Sequence, residues 1–122
     1  MFRCLWLSVA LSLAPTLLLA QTGTPSSKLI WDQTAPDLAT AQAYTYTSYP
    51  DGSATGTGLS GVTCSGTTSP FTCQVTYPAF TPGAHTLQLT AKNAAGESPK
   101  SAAFSFTFVV LPAAPVNLRI GD

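Results

Sequence analysis

Phe80 to Ser98, FTPGAHTLQLTAKNAAGES, is the stretch on which the fold turns. Pro82 and Gly83 break the chain, after which His85, Leu87, Leu89 and Ala91 alternate with Thr86, Gln88, Thr90 and Lys92, the period of two that marks a half-buried strand. Asn93 to Gly96 then turns it back. An apolar row on one face needs a second layer to bury it, and a strand this regular needs hydrogen-bonding neighbours at its edges. The flanking segments are expected to supply both.

Downstream, Ser101 to Val110 places Phe104, Phe106, Phe108 and Val110 on one face. Left exposed, that row would form an aggregation-prone edge, so it is read as core. Full burial of each ring contributes about 2 to 3 kcal/mol before entropy is subtracted. Upstream, Val62 to Tyr77 carries Cys64 and Cys73 on two alternating apolar runs separated by the turn formers Ser65-Gly66 and Ser69-Pro70. In an exported chain, two cysteines across a predicted hairpin pair most simply with each other, and closing that loop stabilises by about 3 kcal/mol. Zinc needs four ligands, whereas these two cysteines and His85 make three, and a redox pair would more often show two residues between its cysteines. No metal or cofactor is expected.

Nearer the start, Gln42 to Tyr49 alternates Tyr44, Tyr46 and Ser48 with Ala43, Thr45 and Thr47, and Pro50-Asp51-Gly52 follows as a hairpin signal. Tyr44 and Tyr46 are placed in the core and Tyr49 near the surface. Ser53 to Gly61 is glycine-rich, hence a weak edge strand or a loop. Lys28 to Trp31 opens the fold as a short strand with Leu29 and Trp31 on its inner face, and Asp32 to Thr40 reads as a loop.

The ends differ from this body. Residues 1–20 combine Arg3, an apolar run interrupted by Pro15, and Ala20 ahead of Gln21, the pattern of a secretory signal peptide that takes Cys4 with it. Residues 21–27 read as a flexible lead, 28–111 as one domain, and 112–122 as a proline-rich tail. Charged residues make up only 8 % of the chain, and once Arg3 is removed five acids outnumber Lys28, Lys92, Lys100 and Arg119. That balance argues against nucleic acid, which requires a concentrated basic face. No membrane association is expected after cleavage.

Together these segments resemble a fibronectin type III domain, an immunoglobulin-like β-sandwich of about seven strands. Trp31 resembles the tryptophan of the family's second strand, and Tyr44 with Tyr46 its tyrosine-led third strand. Phe80-Thr81-Pro82-Gly83, then Leu87, Leu89, Ala91, Asn93 and Gly96, is similar to its proline-glycine, alternating apolar and Ala-x-Asn-x-x-Gly pattern. The resemblance covers Lys28 to Val110 and implies an all-β sandwich of six to seven strands whose first strand is missing or irregular, since QTGTPSS offers nothing apolar to form it.

Two features depart from the family. His85 stands near the position where a tyrosine usually pins the corner between strands, and is expected to bond a backbone carbonyl instead, with Pro82 and Gly83 shaping the turn. The Cys64 and Cys73 pair is the other departure. The tail Pro112 to Ile120 itself looks like a family first strand, with Val116, Leu118 and Ile120 alternating. Either it begins a following domain of a tandem array, or it is donated to the open edge of a neighbouring copy in head-to-tail self-association.

The sequence lacks a visible set of acid, base and nucleophile, so no enzyme is expected. The leading reading is a secreted structural or adhesive module, extracellular, at the cell surface or periplasmic, that binds protein or spaces domains. The alternative is a carbohydrate-binding module using exposed aromatics such as Tyr49, with Phe71 or Tyr77.

Overall fold

The computed structural model describes residues 21–122, so the expected signal peptide at residues 1–20, Cys4 included, lies outside the described residues. In chain order the elements are β1 (Gln21–Gly23), β2 (Lys28–Gln33), α1 (Leu38–Ala43), β3 (Thr45–Pro50), β4 (Thr57–Gly58), β5 (Thr63–Ser65), β6 (Phe71–Thr76), β7 (Gly83–Asn93), β8 (Gly96–Glu97) and β9 (Phe104–Phe108).

The alternating stretch becomes β7, the spine of the larger sheet. It pairs with β3 on one side, from Pro50 opposite Leu87 to Thr45 opposite Lys92, and with β9 on the other, from Gly83 opposite Phe108 to Leu87 opposite Phe104. The sheet runs β1-β9-β7-β3-β4, with β8 folded back on the end of β7, while β2-β6-β5 forms the smaller sheet. Leu29 and Val75 from the smaller sheet meet Leu87, Phe106 and Phe108 from the larger one in a single core. The protein is therefore an all-β, two-sheet sandwich, an architecture compatible with the immunoglobulin-like class.

Cys64 and Cys73 lie directly opposite each other on β5 and β6 and form a disulfide. Beneath it, a smaller cluster joins Phe71 to Ala35 and Ala41.

Several local expectations are corrected. The segment read as a loop and the start of a strand contains α1, whose Asp37 cap accepts the Thr40 N–H at 2.7 Å. The helix is too short to stand alone and is held by burial of Ala41 against Ala35 and Phe71. Tyr44 consequently ends α1 and is half-buried instead of standing inward on a strand, while Tyr46 and Ser48 of β3 are buried. Tyr49, expected near the surface, is only 9 % exposed. Val110 lies beyond β9 and leaves the phenylalanine row, because the strand pairs only as far as Phe108. Trp31, Leu89 and Phe104 are partly buried, at the rim of the core.

The lead also differs from expectation. Gln21, Thr22 and Gly23 pair in parallel with Phe106, Thr107 and Phe108 of β9. This pairing uses only backbone groups, which is why a polar tripeptide without alternation can form it. Gly23 permits the close approach: a Cβ there would stand 3.3 Å from the Tyr77 ring. The first strand is thus a three-residue stub on the larger sheet, and among the described residues no strand pairs with the outer edge of β2.

Candidate functional site

Three places are candidates for a functional site: the corner at His85, the outer face around Tyr49, and the open edge of β2. The corner begins at the β3 turn, where Asp51 and Gly52 both take positive φ, 51° and 70°, the conformation that suits a tight hairpin. From there Asp51 reaches β7. One carboxylate oxygen lies 2.8 Å from His85 Nδ1, and the other accepts the Thr86 N–H at 3.0 Å.

The opposite ring nitrogen, Nε2, stands 2.6 Å from the Thr81 carbonyl. A carboxylate and a carbonyl only accept, so the two contacts are both satisfied when the imidazole carries a proton on each ring nitrogen. The hydrogen bond to Asp51, then that to Thr81, hold the His85 pKa above its ordinary value, and the His85 hydrogen bond, then that from Thr86, holds Asp51 below its own. The Thr81 hydroxyl lies 3.4 Å from Nε2. That hydroxyl, imidazole and carboxylate superficially resemble a nucleophile relay, but Nε2 lies nearer the Thr81 carbonyl than the Thr81 hydroxyl, and in the doubly protonated ring it has no lone pair with which to take a proton from Thr81. Gly83, at φ 124°, completes the turn after Pro82.

Tyr49 faces the outside of the larger sheet and is covered there. Its hydroxyl donates to Glu97 Oε1, Thr90 donates to the same oxygen, and the Lys100 ammonium sits 4.3 Å from the ring centroid. Those hydrogen bonds, Thr90 first, lower the Glu97 pKa, while the bond to Glu97 raises that of Tyr49. Gly56 closes over the other side, where a Cβ would fall 2.7 Å from the ring. Phe71 is buried, and Tyr77 packs among Phe80, Phe106 and Phe108. The three aromatics considered for sugar stacking therefore do not come together on a surface.

Tyr46 is a structural pin. Its hydroxyl donates to the Ala41 carbonyl at 2.7 Å and its ring meets Trp31 edge-on at 5.0 Å, so it ties α1 to the sandwich, and burial pushes its pKa up to about 12.

Along the open edge of β2 lies a groove of about 360 Å³ between the sheets, lined chiefly by Leu29, Trp31, Tyr77, Leu87, Leu89 and Phe104. The Trp31 Nε1 is buried with no hydrogen-bond partner. Beside the groove Ile30 points outward, 58 % exposed. An open edge is already implied by the irregular first strand; that it lies along β2 depends on where β1 pairs. Val116, Leu118 and Ile120 stand apart from the core at 79, 85 and 97 % exposure.

Among the described residues, no three of His, Cys, Asp and Glu group closely enough to hold a metal ion, and no helix is long and apolar enough to cross a membrane. The disulfide is compatible with an extracellular protein. Compared with protein-family models, curated proteins and solved structures, the chain matches none.

Proposed function

We propose that the mature chain is an exported, non-catalytic interaction module of fibronectin type III type, which binds protein or spaces neighbouring domains through its edges, faces and loops. The observation that carries this reading is the chemistry of the exposed apolar surface. Its large members, from Ile30 on β2 to Leu118 and Ile120 in the tail, are all aliphatic. Aliphatic side chains on extended backbone suit strand addition and protein contact. The family assignment is supported by Trp31, the Pro82-Gly83 turn and the Asn93 to Gly96 return on a two-sheet sandwich. Export is supported by the disulfide and by the leader pattern of residues 1–20.

The test is a titration of the mature chain with a panel of mono- and oligosaccharides, read by tyrosine and Trp31 fluorescence, beside the N-terminal mass of the exported protein. A flat titration and a chain beginning at Gln21 are expected. A saturable sugar response abolished by Tyr49→Ala would move the function to carbohydrate binding, and an exported protein that retains residues 1–20 would overturn the leader reading.

A further inference from the structure

We propose that the C-terminal tail of one copy, Val116 to Ile120, adds as an edge strand to β2 of a second copy and seats Val116, Leu118 and Ile120 in the groove between the sheets. The inference rests on the interaction-module reading and names its partner as another copy of this chain.

The acceptor is incomplete as it stands. Among the described residues nothing pairs with the outer edge of β2, and an unpaired edge is a template for another strand. β1 borders the same opening, but Gln21, Thr22 and Gly23 bring no apolar side chain to fill it. What remains is the apolar groove, and beside it an indole N–H without an acceptor. An added strand would bring apolar side chains to the groove.

The donor is unused. Val116, Leu118 and Ile120 alternate with Asn117 and Arg119, the pattern of a strand with one buried face, yet residues 109–122 form no strand. Asn117 sits at φ 53°, a conformation that asparagine visits and leaves at little cost, so the tail can straighten. Once it is extended, its outward row of Asn117 and Arg119 continues the outward row Lys28, Ile30 and Asp32 of β2.

Chain direction favours joining between copies. Because β1 and β9 run parallel, the chain comes in at one end of the sandwich and leaves at the other. Pro112 and Pro115 hold the exit extended, and the near-complete exposure of Leu118 and Ile120 shows that the tail does not rest on its own sandwich. Donor and acceptor are different surfaces, so the joining is head-to-tail and does not close, which makes open chains. Backbone hydrogen bonds supply affinity and the three alternate side chains set the register.

The test uses the mature full-length chain and a Leu118→Asp/Ile120→Asp variant, whose changes touch only exposed residues. Light scattering should show the mass of the first growing with concentration and the second remaining monomeric. A synthetic peptide of residues 112–122 should then shift the emission of Trp31, the only tryptophan left after leader removal, in a saturable way when added to the variant. The same peptide carrying Leu118→Asp should bind at least tenfold more weakly. A wild-type chain that stays monomeric at millimolar concentration, oligomers that persist in the variant, or a peptide that leaves Trp31 unchanged would each overturn the proposal. None of these results would remove the wider module reading, which the sugar titration tests separately.

Discussion

The imidazole at position 85 is held between two acceptors, Asp51 and the Thr81 carbonyl, and that arrangement has a sign in pH. The folded-state pKa of His85 is raised above 6.5, so its contribution to stability is complete below pH 6.5 and is lost as pH rises through the raised value. The folded-state pKa of Asp51 is lowered beneath 3.8, so its contribution is complete above pH 3.8 and is lost as pH falls through the depressed value. The corner is therefore strongest between pH 3.8 and 6.5. The thermal midpoint should decline on the alkaline side of that window, and Asp51→Asn should flatten the decline; an unchanged slope in the variant would show that the pair does not govern it. The expectation of a carbonyl bond at His85 rests on the resemblance to a family whose tyrosine pins this corner, and no local pattern of residues carries it. The carboxylate partner of His85 lies 34 residues earlier and is brought in only by the pairing of β3 with β7.

At the scale of elements, β7 and the β5–β6 hairpin are the two best specified by sequence, the first by strict alternation and the second by its cysteines. β5 is only three residues long and forms an edge of its sheet, so its attachment depends heavily on the bridge to β6. Replacing both cysteines by alanine should lower stability by about 3 kcal/mol, read as a lower urea midpoint with near-native far-UV dichroism. A loss below about 0.5 kcal/mol, within the range of an ordinary surface substitution, would mean that the hairpin is held by its apolar residues alone. α1 was hidden for a physical reason: six residues give no periodicity, and Pro36 beside Asp37 reads equally as loop or helix start. Tyr49 was misplaced because alternation assigns it to the outer face without showing that Gly56, Glu97 and Lys100 converge there.

Across the whole molecule, the course of three polar residues decides which edges are closed. With β1 on β9, the edge of β9 is covered from Phe106 to Phe108, and among the described residues β2 is left open. Removing Gln21 to Gly23 should uncover β9, lowering stability by about 1 to 2 kcal/mol through lost strand pairing. Calorimetry would read this as a lower thermal midpoint, and light scattering as new association even in the Leu118→Asp/Ile120→Asp background. If the midpoint does not move, β1 contributes nothing to the sheet. By itself the sequence determined the all-β class, the spine, the inward side of β9 at Phe106 and Phe108 and the pairing of the cysteines, because side-chain alternation and cysteine placement are local records of burial. Only the tertiary structure decided the position of β1, the cover over Tyr49, the partner of His85 and the open edge of β2. Those features arise from backbone pairing and from contacts between distant residues, which leave no period in the chain.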